Sequence, residues 1–128
     1  MNKLIIDIAN EKIFLMIITK ANIYNITHEN TKINYEKLTI IINDFLSSKN
    51  LKIVDINAIY INSGTRSFAG TRNLMSVIKA FNVAKNIDYY CYNLDDFKEE
   101  NDLNYENIPN LCKKYKIKKN LINLVYIS

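Results

Sequence analysis

The chain has 128 residues, of which 48% are hydrophobic and 23% are charged. This length fits one domain around a single core, and the sequence has neither an apolar run long enough to span a bilayer nor the pattern of a signal peptide, so we expect a cytoplasmic protein. The formal net charge is +4, but the excess is almost all lysine in a chain that is also rich in asparagine and isoleucine. An AT-rich coding sequence would give the same bias, so the global charge is weak evidence for nucleic-acid binding.

Three short segments rich in isoleucine open the chain. They are Lys3–Ala9, Lys12–Thr19 and Ala21–Thr27, and they are separated by Asn10-Glu11 and by Lys20. Short apolar runs bounded by polar turn residues predict three consecutive antiparallel strands.

A helix is predicted next, from Asn34 to about Lys49. Asn34 is a good N-cap, and Glu36 in the first turn suits the positive end of the helix dipole. One face carries the apolar residues Tyr35, Leu38, Ile41, Ile42, Phe45 and Leu46.

The remaining elements alternate between strand and helix. Ile56–Asn62 predicts a fourth strand, Ser67 to about Asn86 a second helix, and Asp88–Tyr92 a fifth strand. The second helix has an apolar face of Leu74, Val77, Ile78, Phe81 and Ala84. Strands joined by helical crossovers lie parallel, so the order β-β-β-α-β-α-β predicts an α/β fold with a mixed sheet. This is the ribonuclease-H-like order.

The segment Ile61 to Arg72, INSGTRSFAGTR, joins the fourth strand to the second helix. Gly64 can take positive φ and turn the chain, and Ser67 is suited to cap the helix. A phosphate cradle at this helix start needs more glycine than Gly64 and Gly70 provide, and Arg66 occupies one loop position. The pattern therefore favours a structural joint between strand and helix.

This segment resembles the G-x-G-P-G-S-F-T-G-x-R loop of the bacterial TsaB (YeaZ) family. The matching residues are Gly64, Ser67, Phe68, Gly70 and Arg72, whereas Asn62, Thr65, Arg66 and Ala69 depart from the signature. Asp7 matches the family's first-strand aspartate, and Lys79 matches a lysine in its second helix. The family belongs to the actin-like ATPase superfamily, whose order of elements agrees with the one derived above.

The resemblance covers about residues 3 to 97. Residues 95 to 106 are acidic, and Pro109, the only proline, follows them. We therefore divide the chain into an actin-like N-terminal domain, residues 1–97, and a short C-terminal extension, residues 98–128, in place of the family's usual second domain. Residues Lys113 to Lys119 form a basic run, for which a solvated surface and a tRNA contact both stay open.

The residues give little support for catalysis. Asp7 is the one carboxylate placed for a ribonuclease-H-like metal pair, and the fourth strand ends in Asn62-Ser63 without an acid. We expect Asp7 to cap or pair locally, with no metal site. The hairpin at Asp7 to Asn10 lacks the glycine that close approach to ATP phosphates requires, so no cofactor is expected.

Other candidate groups have ordinary interpretations. His28 lies near the end of the third strand without a nucleophile beside it and is interpreted as a turn residue. Tyr89, Tyr90 and Tyr92 could stack on bases, but aromatic residues are common in strands. Cys91 and Cys112 lie outside any Cys-x-x-Cys spacing and are expected to be buried, reduced thiols.

Both helices carry apolar residues beyond the arc needed to cover a sheet. Ile40, Phe68, Met75 and Val83 have no evident place inside one small domain. Because exposing them is costly, a partner surface would explain them, and scattered exposure of apolar residues stays open as the alternative. In TsaB-type complexes the two helices pack against those of the catalytic homologue TsaD. The partner interface implied here is Ile40, Phe68, Arg72, Met75, Lys79 and Val83.

The resemblance implies a non-catalytic partner protein in the synthesis of threonylcarbamoyladenosine on tRNA. Its partners would be a TsaD-like transferase and a TsaE-like ATPase in the same complex, with tRNA contacted only indirectly, no membrane contact, and a homodimer possible in isolation. The alternatives are a free-standing homodimeric structural protein and a ribonuclease-H-like nuclease.

Overall fold

The computed structural model describes residues 1–9, 12–62, 64, 68–101 and 103–121. Its centre is a five-stranded sheet in the spatial order β3-β2-β1-β4-β5. The strands are β1 Lys3–Asp7, β2 Lys12–Ile18, β3 Ile23–Glu29, β4 Ala58–Asn62 and β5 Asp88–Tyr92. The first three are antiparallel neighbours, whereas β4 is parallel to β1 and β5 is parallel to β4. The predicted α/β fold with a mixed sheet is confirmed.

The described residues include four helices, none of which is long and apolar enough to cross a membrane. They are α1 Lys32–Glu36, α2 Leu38–Ser48, α3 Phe68–Lys85 and α4 Ile108–Lys114. Short 3-10 turns lie at Ile53–Asp55, Leu94–Phe97 and Tyr105–Asn107.

The single helix predicted from Asn34 to about Lys49 is wrong in two respects. Thr31 is the N-cap, and its hydroxyl accepts from the Asn34 backbone N–H at 3.2 Å. The Asn34 side chain instead donates to the Glu29 carbonyl at 2.8 Å. The backbone leaves the helical conformation at Lys37, so two helices replace one. Both of these helices contact α3.

The helices α1, α2 and α3 share one side of the sheet. Alternate residues of the strands, such as Leu4 and Ile6 of β1, face them, as the period of two in a strand requires. The whole predicted apolar face of the first helical segment is buried, and so are Leu74, Ile78 and Phe81 of α3. Ala84 is exposed, so the predicted face of the second helix ends one turn early.

A second hydrophobic cluster lies on the opposite side of the sheet. The sequence predicts a single core, so this cluster was not expected. Its buried members are Ile5, Met16, Ala58, Tyr60, Tyr92, Phe97, Ile108, Leu111 and Cys112. Residues on both sides of position 97 therefore pack into one cluster. The interpretation of residues 98–128 as a replacement for a second domain stays a prediction.

The chain returns to the β5 edge near residue 120. The Asn120 N–H donates to the Tyr89 carbonyl at 2.7 Å, and Asn120 Oδ1 accepts from the Tyr89 N–H at 2.9 Å. Asn120 Nδ2 also donates to Asp88 Oδ1 at 2.9 Å, and Lys119 pairs with the same carboxylate. These bonds occupy polar groups that an edge strand would otherwise expose.

Candidate functional site

The motif segment begins at the carboxyl end of β4, beside the carboxyl end of β1. Asp7, the last residue of β1, is the central polar residue at this place. Asp7 is 2% exposed. Its Oδ1 accepts from the Ala9 N–H at 2.8 Å, and its Oδ2 accepts from Tyr105 Oη at 2.9 Å and from Asn62 Nδ2 at 3.2 Å. The expected local pairing is present, but the carboxylate also binds two segments that are distant in sequence.

Asn62 connects this carboxylate to the motif. While its Nδ2 donates to Asp7, its Oδ1 accepts from the Gly64 N–H at 2.9 Å. A side-chain carbonyl that accepts from the backbone two residues later makes an Asx turn. Asn62 thus supplies the turn, and the predicted positive φ at Gly64 is wrong, because neither glycine of the chain has positive φ.

Gly70 is the tightest position of the motif. A Cβ at Gly70 would lie 2.5 Å from Cε1 and Cζ of Tyr35 in α1, a distance that real Cβ atoms do not show. At Gly64 the nearest atom to an added Cβ would be Asn62 Oδ1 at 3.2 Å. Gly70 is therefore required for the close approach of α3 to α1, and Gly64 is the less restricted of the two.

The structure describes only some of the other motif residues. Ser67, the predicted helix cap, and the departures Thr65 and Arg66 lie outside the described residues. The backbone of Phe68 begins α3, and Arg72 is exposed one turn later.

The predicted partner residues divide into an exposed and a buried group. On α3, Val83 is 85% exposed and Lys79 is also exposed, and on α2 Ile40 is 59% exposed. The side chain of Phe68 lies outside the described part of the chain. Met75 is 5% exposed and belongs to the core on the helical side, so the expectation that it has no place inside the domain is wrong. Because α1 and α2 both contact α3, the buried arc of α3 is wider than that of a helix lying alone on a sheet.

Among the described residues no three His, Cys, Asp or Glu side chains are placed to share a metal ion. His28 lies within β3 opposite Ile13, not in a turn as predicted, and shares a small cavity with Asp44 and Ser48. The Ser48 hydroxyl donates to the Phe45 carbonyl at 2.6 Å, so this trio lacks the bond that activates a nucleophile.

Both cysteines are buried free thiols, as predicted. Burial, with Asp96 and Cys91 adding to it, raises the pKa of Cys112 from 9.0 to about 12. A thiol that holds its proton throughout the physiological range is unreactive, which agrees with a structural role.

Comparison with known proteins shows a similarity of fold only. No family model matches the chain, and neither does any curated protein. The structure of YeaZ from Pseudomonas aeruginosa superposes with a TM-score of 0.64 at 15% identity, over 72% of this chain and 43% of that one. A structure described as an uncharacterised protein with similarity to peptidase YeaZ from the same organism gives the same values. The chain therefore has the YeaZ fold and spans less than half the length of the YeaZ chains.

Proposed function

We propose that this chain is a TsaB-type scaffold subunit of the machinery that makes threonylcarbamoyladenosine on tRNA. It binds a TsaD-like transferase in the cytoplasm and does no chemistry of its own. The observation that carries this proposal is the coincidence of two independent similarities. The fold is that of YeaZ, and the motif found in the sequence lies in that fold at the β4 to α3 joint.

The proposed contact surface is the outer face of the helical layer, defined here by Ile40, Arg72, Lys79 and Val83. All four side chains are exposed, and three of them follow one another along α3 at spacings of seven and four residues. That spacing keeps them on one face of the helix. Ser76 and Ala80 lie between them and are also exposed, so a second helix can approach closely along this line.

The state of Asp7 supports a subunit without its own active site. Both carboxylate oxygens accept hydrogen bonds from within the chain, and the hairpin that follows has Ile8 and Ala9 where close phosphate contact requires glycine. The TsaD-like partner would supply the metal and the nucleotide.

The test is co-purification with a TsaD-like transferase from the same cell, using Val83→Asp. A charge buried in a helix–helix interface is expected to weaken binding at least about tenfold, while the monomer keeps its melting temperature because Val83 is almost fully exposed. Met75→Asp is unsuitable, since Met75 is part of the core.

Leu94→Asp is the matched control, because Leu94 is an exposed apolar residue that follows β5 on the opposite layer. Equal binding by the wild type and Val83→Asp would place the interface elsewhere. The wild type could instead form a homodimer that does not bind the transferase. If Val83→Asp dissociates that homodimer, the result supports the free-standing structural protein.

A further inference from the structure

A cleft of about 540 Å³ opens on the side of the sheet opposite the proposed contact surface. Its floor is formed by Tyr60 of β4 and Tyr90 of β5, and α4 and the turn after it form one wall. Small-molecule sites in proteins commonly have this volume. The cleft plays no part in the function proposed above, and the inference below does not depend on that function.

The two tyrosines form a planar stack. They are directly paired across the parallel strands, with ring centroids 5.1 Å apart and an angle of 11° between the planes. Tyrosine rings held by the backbone of a sheet are a common platform for nucleic-acid bases, because every base has a flat apolar face. Tyr90 is half-buried, so part of its ring is accessible from the cleft.

The charged side chains that line the cleft are all basic. Lys3, Lys113 and Lys116 line the cleft, and none of its described lining residues is acidic. Two other lysines of the basic run are neutralised away from the cleft, Lys114 by Glu100 and Lys119 by Asp88. In the part of the chain that the structure describes, no ion pair neutralises the three lysines of the cleft.

The Tyr60 hydroxyl group adds no negative charge to the cleft. Burial, followed by the neighbouring Tyr90 and Cys112, raises the pKa of Tyr60 to about 12. The phenol therefore stays protonated near neutral pH and can donate a hydrogen bond to an anionic oxygen. An aromatic floor with a lysine rim, and with no carboxylate among the described lining residues, fits a planar ring that carries a phosphate.

We infer that this cleft binds a nucleoside monophosphate unit, with the base against the tyrosine stack and the phosphate between Lys3, Lys113 and Lys116. The unit could be a free nucleotide or one residue of single-stranded RNA, since both present the same base and phosphate. Neither the motif loop nor the helical face takes part.

The experiment is a titration of the ¹⁵N-labelled chain with AMP, followed by amide chemical shifts. Shifts are expected at residues that line the cleft and not at Asp7 to Ala9. Adenosine lacks the phosphate group, and inorganic phosphate lacks the base. Each is therefore expected to bind at least about tenfold more weakly than AMP. Raising the salt concentration should weaken AMP binding, because salt screens the attraction between exposed lysines and the phosphate.

Variants separate the two halves of the site. Lys113→Met and Tyr90→Leu are each expected to weaken AMP binding at least about fivefold. Tyr90→Phe keeps the ring and should bind like the wild type. Lys118→Met is the matched control, because Lys118 belongs to the same basic run but does not line this cleft.

An adenylate hexamer distinguishes the two sources of the nucleotide unit. Binding of the hexamer at least about tenfold tighter than AMP indicates single-stranded RNA, and equal binding indicates a free nucleotide. The inference is overturned if neither probe shifts the cleft amides at about 5 mM, well above the range of specific nucleotide sites. It is also overturned if the shifts appear at the Asp7 hairpin, or if Lys113→Met and Tyr90→Leu bind AMP as tightly as Lys118→Met.

Discussion

Asp7 holds together three segments that are far apart in sequence. Asn62 is 55 residues away from it, and Tyr105 is 98 residues away. The local part of this role could be predicted, because a short acidic side chain at a strand end commonly accepts from the next backbone N–H groups. The bond to Tyr105 could not, since no pattern in a polar segment indicates which tyrosine returns to the first strand.

Replacing Asp7 by alanine should therefore be severe. The change leaves the Ala9 N–H, Asn62 Nδ2 and Tyr105 Oη without their acceptor, and we expect a loss of about 3 kcal/mol in the free energy of unfolding. Tyr105→Phe removes one donor and should cost about 1 kcal/mol. Urea denaturation measures both.

Asp44→Ala is the control for Asp7→Ala, because Asp44 is an exposed aspartate on α2. Its effect should lie within about 0.5 kcal/mol of zero. If Asp7→Ala proves as mild as Asp44→Ala, the carboxylate does not hold these segments together.

Among the elements, the pair α1 and α3 shows where prediction from sequence succeeds and where it stops. The apolar faces of both helical segments were recognised from their spacing because burial dictates that spacing. The break at Lys37 was missed, since lysine is an ordinary helix residue and tertiary packing of α1 on α3 decides the change of direction. The burial of Met75 was missed for the same reason.

The contact between these two helices predicts a sharp difference between the two glycines. Gly70→Ala places a methyl group inside the Tyr35 ring contact and should cost about 2 to 4 kcal/mol, because overpacking forces the helices apart. Gly64→Ala meets only Asn62 Oδ1 and Ala9 Cβ and should cost about 1 kcal/mol or less. Thermal denaturation of both variants is the measurement.

A second change checks the cause of the Gly70→Ala effect. In the background Tyr35→Leu the smaller side chain leaves room for a methyl group, so Gly70→Ala should then be clearly milder. An unchanged penalty in that background would mean that Gly70 is needed for a reason other than the Tyr35 ring.

For the whole molecule, the unexpected feature is the second cluster on the far side of the sheet. The acidic run and Pro109 suggested a boundary near residue 97. Pro109 lies in the first turn of α4, where proline is well tolerated. In α4 the residues Ile108, Leu111 and Cys112 have the i, i+3, i+4 spacing of a helix face, but seven residues are too short for that spacing to predict a second layer.

Phe97 tests whether this layer is integral to the fold. It is fully buried beside Tyr92, with ring centroids 5.7 Å apart. Phe97→Ala should destabilise the chain by about 3 to 5 kcal/mol, whereas Leu94→Ala, an exposed position in the same turn, should change stability by less than about 1 kcal/mol. Chemical denaturation of the two variants compares them directly.

A truncated chain of residues 1–97 extends the same test. It lacks Ile108, Leu111 and Cys112 and exposes one whole side of the sheet, so it should be unfolded or aggregated by circular dichroism and light scattering. A soluble, cooperatively folding fragment would show that residues 98 to 121 are dispensable to the core.

Because Asn120 bonds along β5, the sheet has one open edge left for pairing with a strand of another molecule. At that edge the backbone groups of Tyr89 are already engaged, so a further strand finds few partners there. The opposite edge is β3, a seven-residue strand without proline whose residues are mostly exposed and which, among the described residues, pairs only with β2. Growth of a fibre by edge pairing requires two open edges on every copy. Edge pairing between copies of this chain is therefore expected to use β3 and to favour pairs.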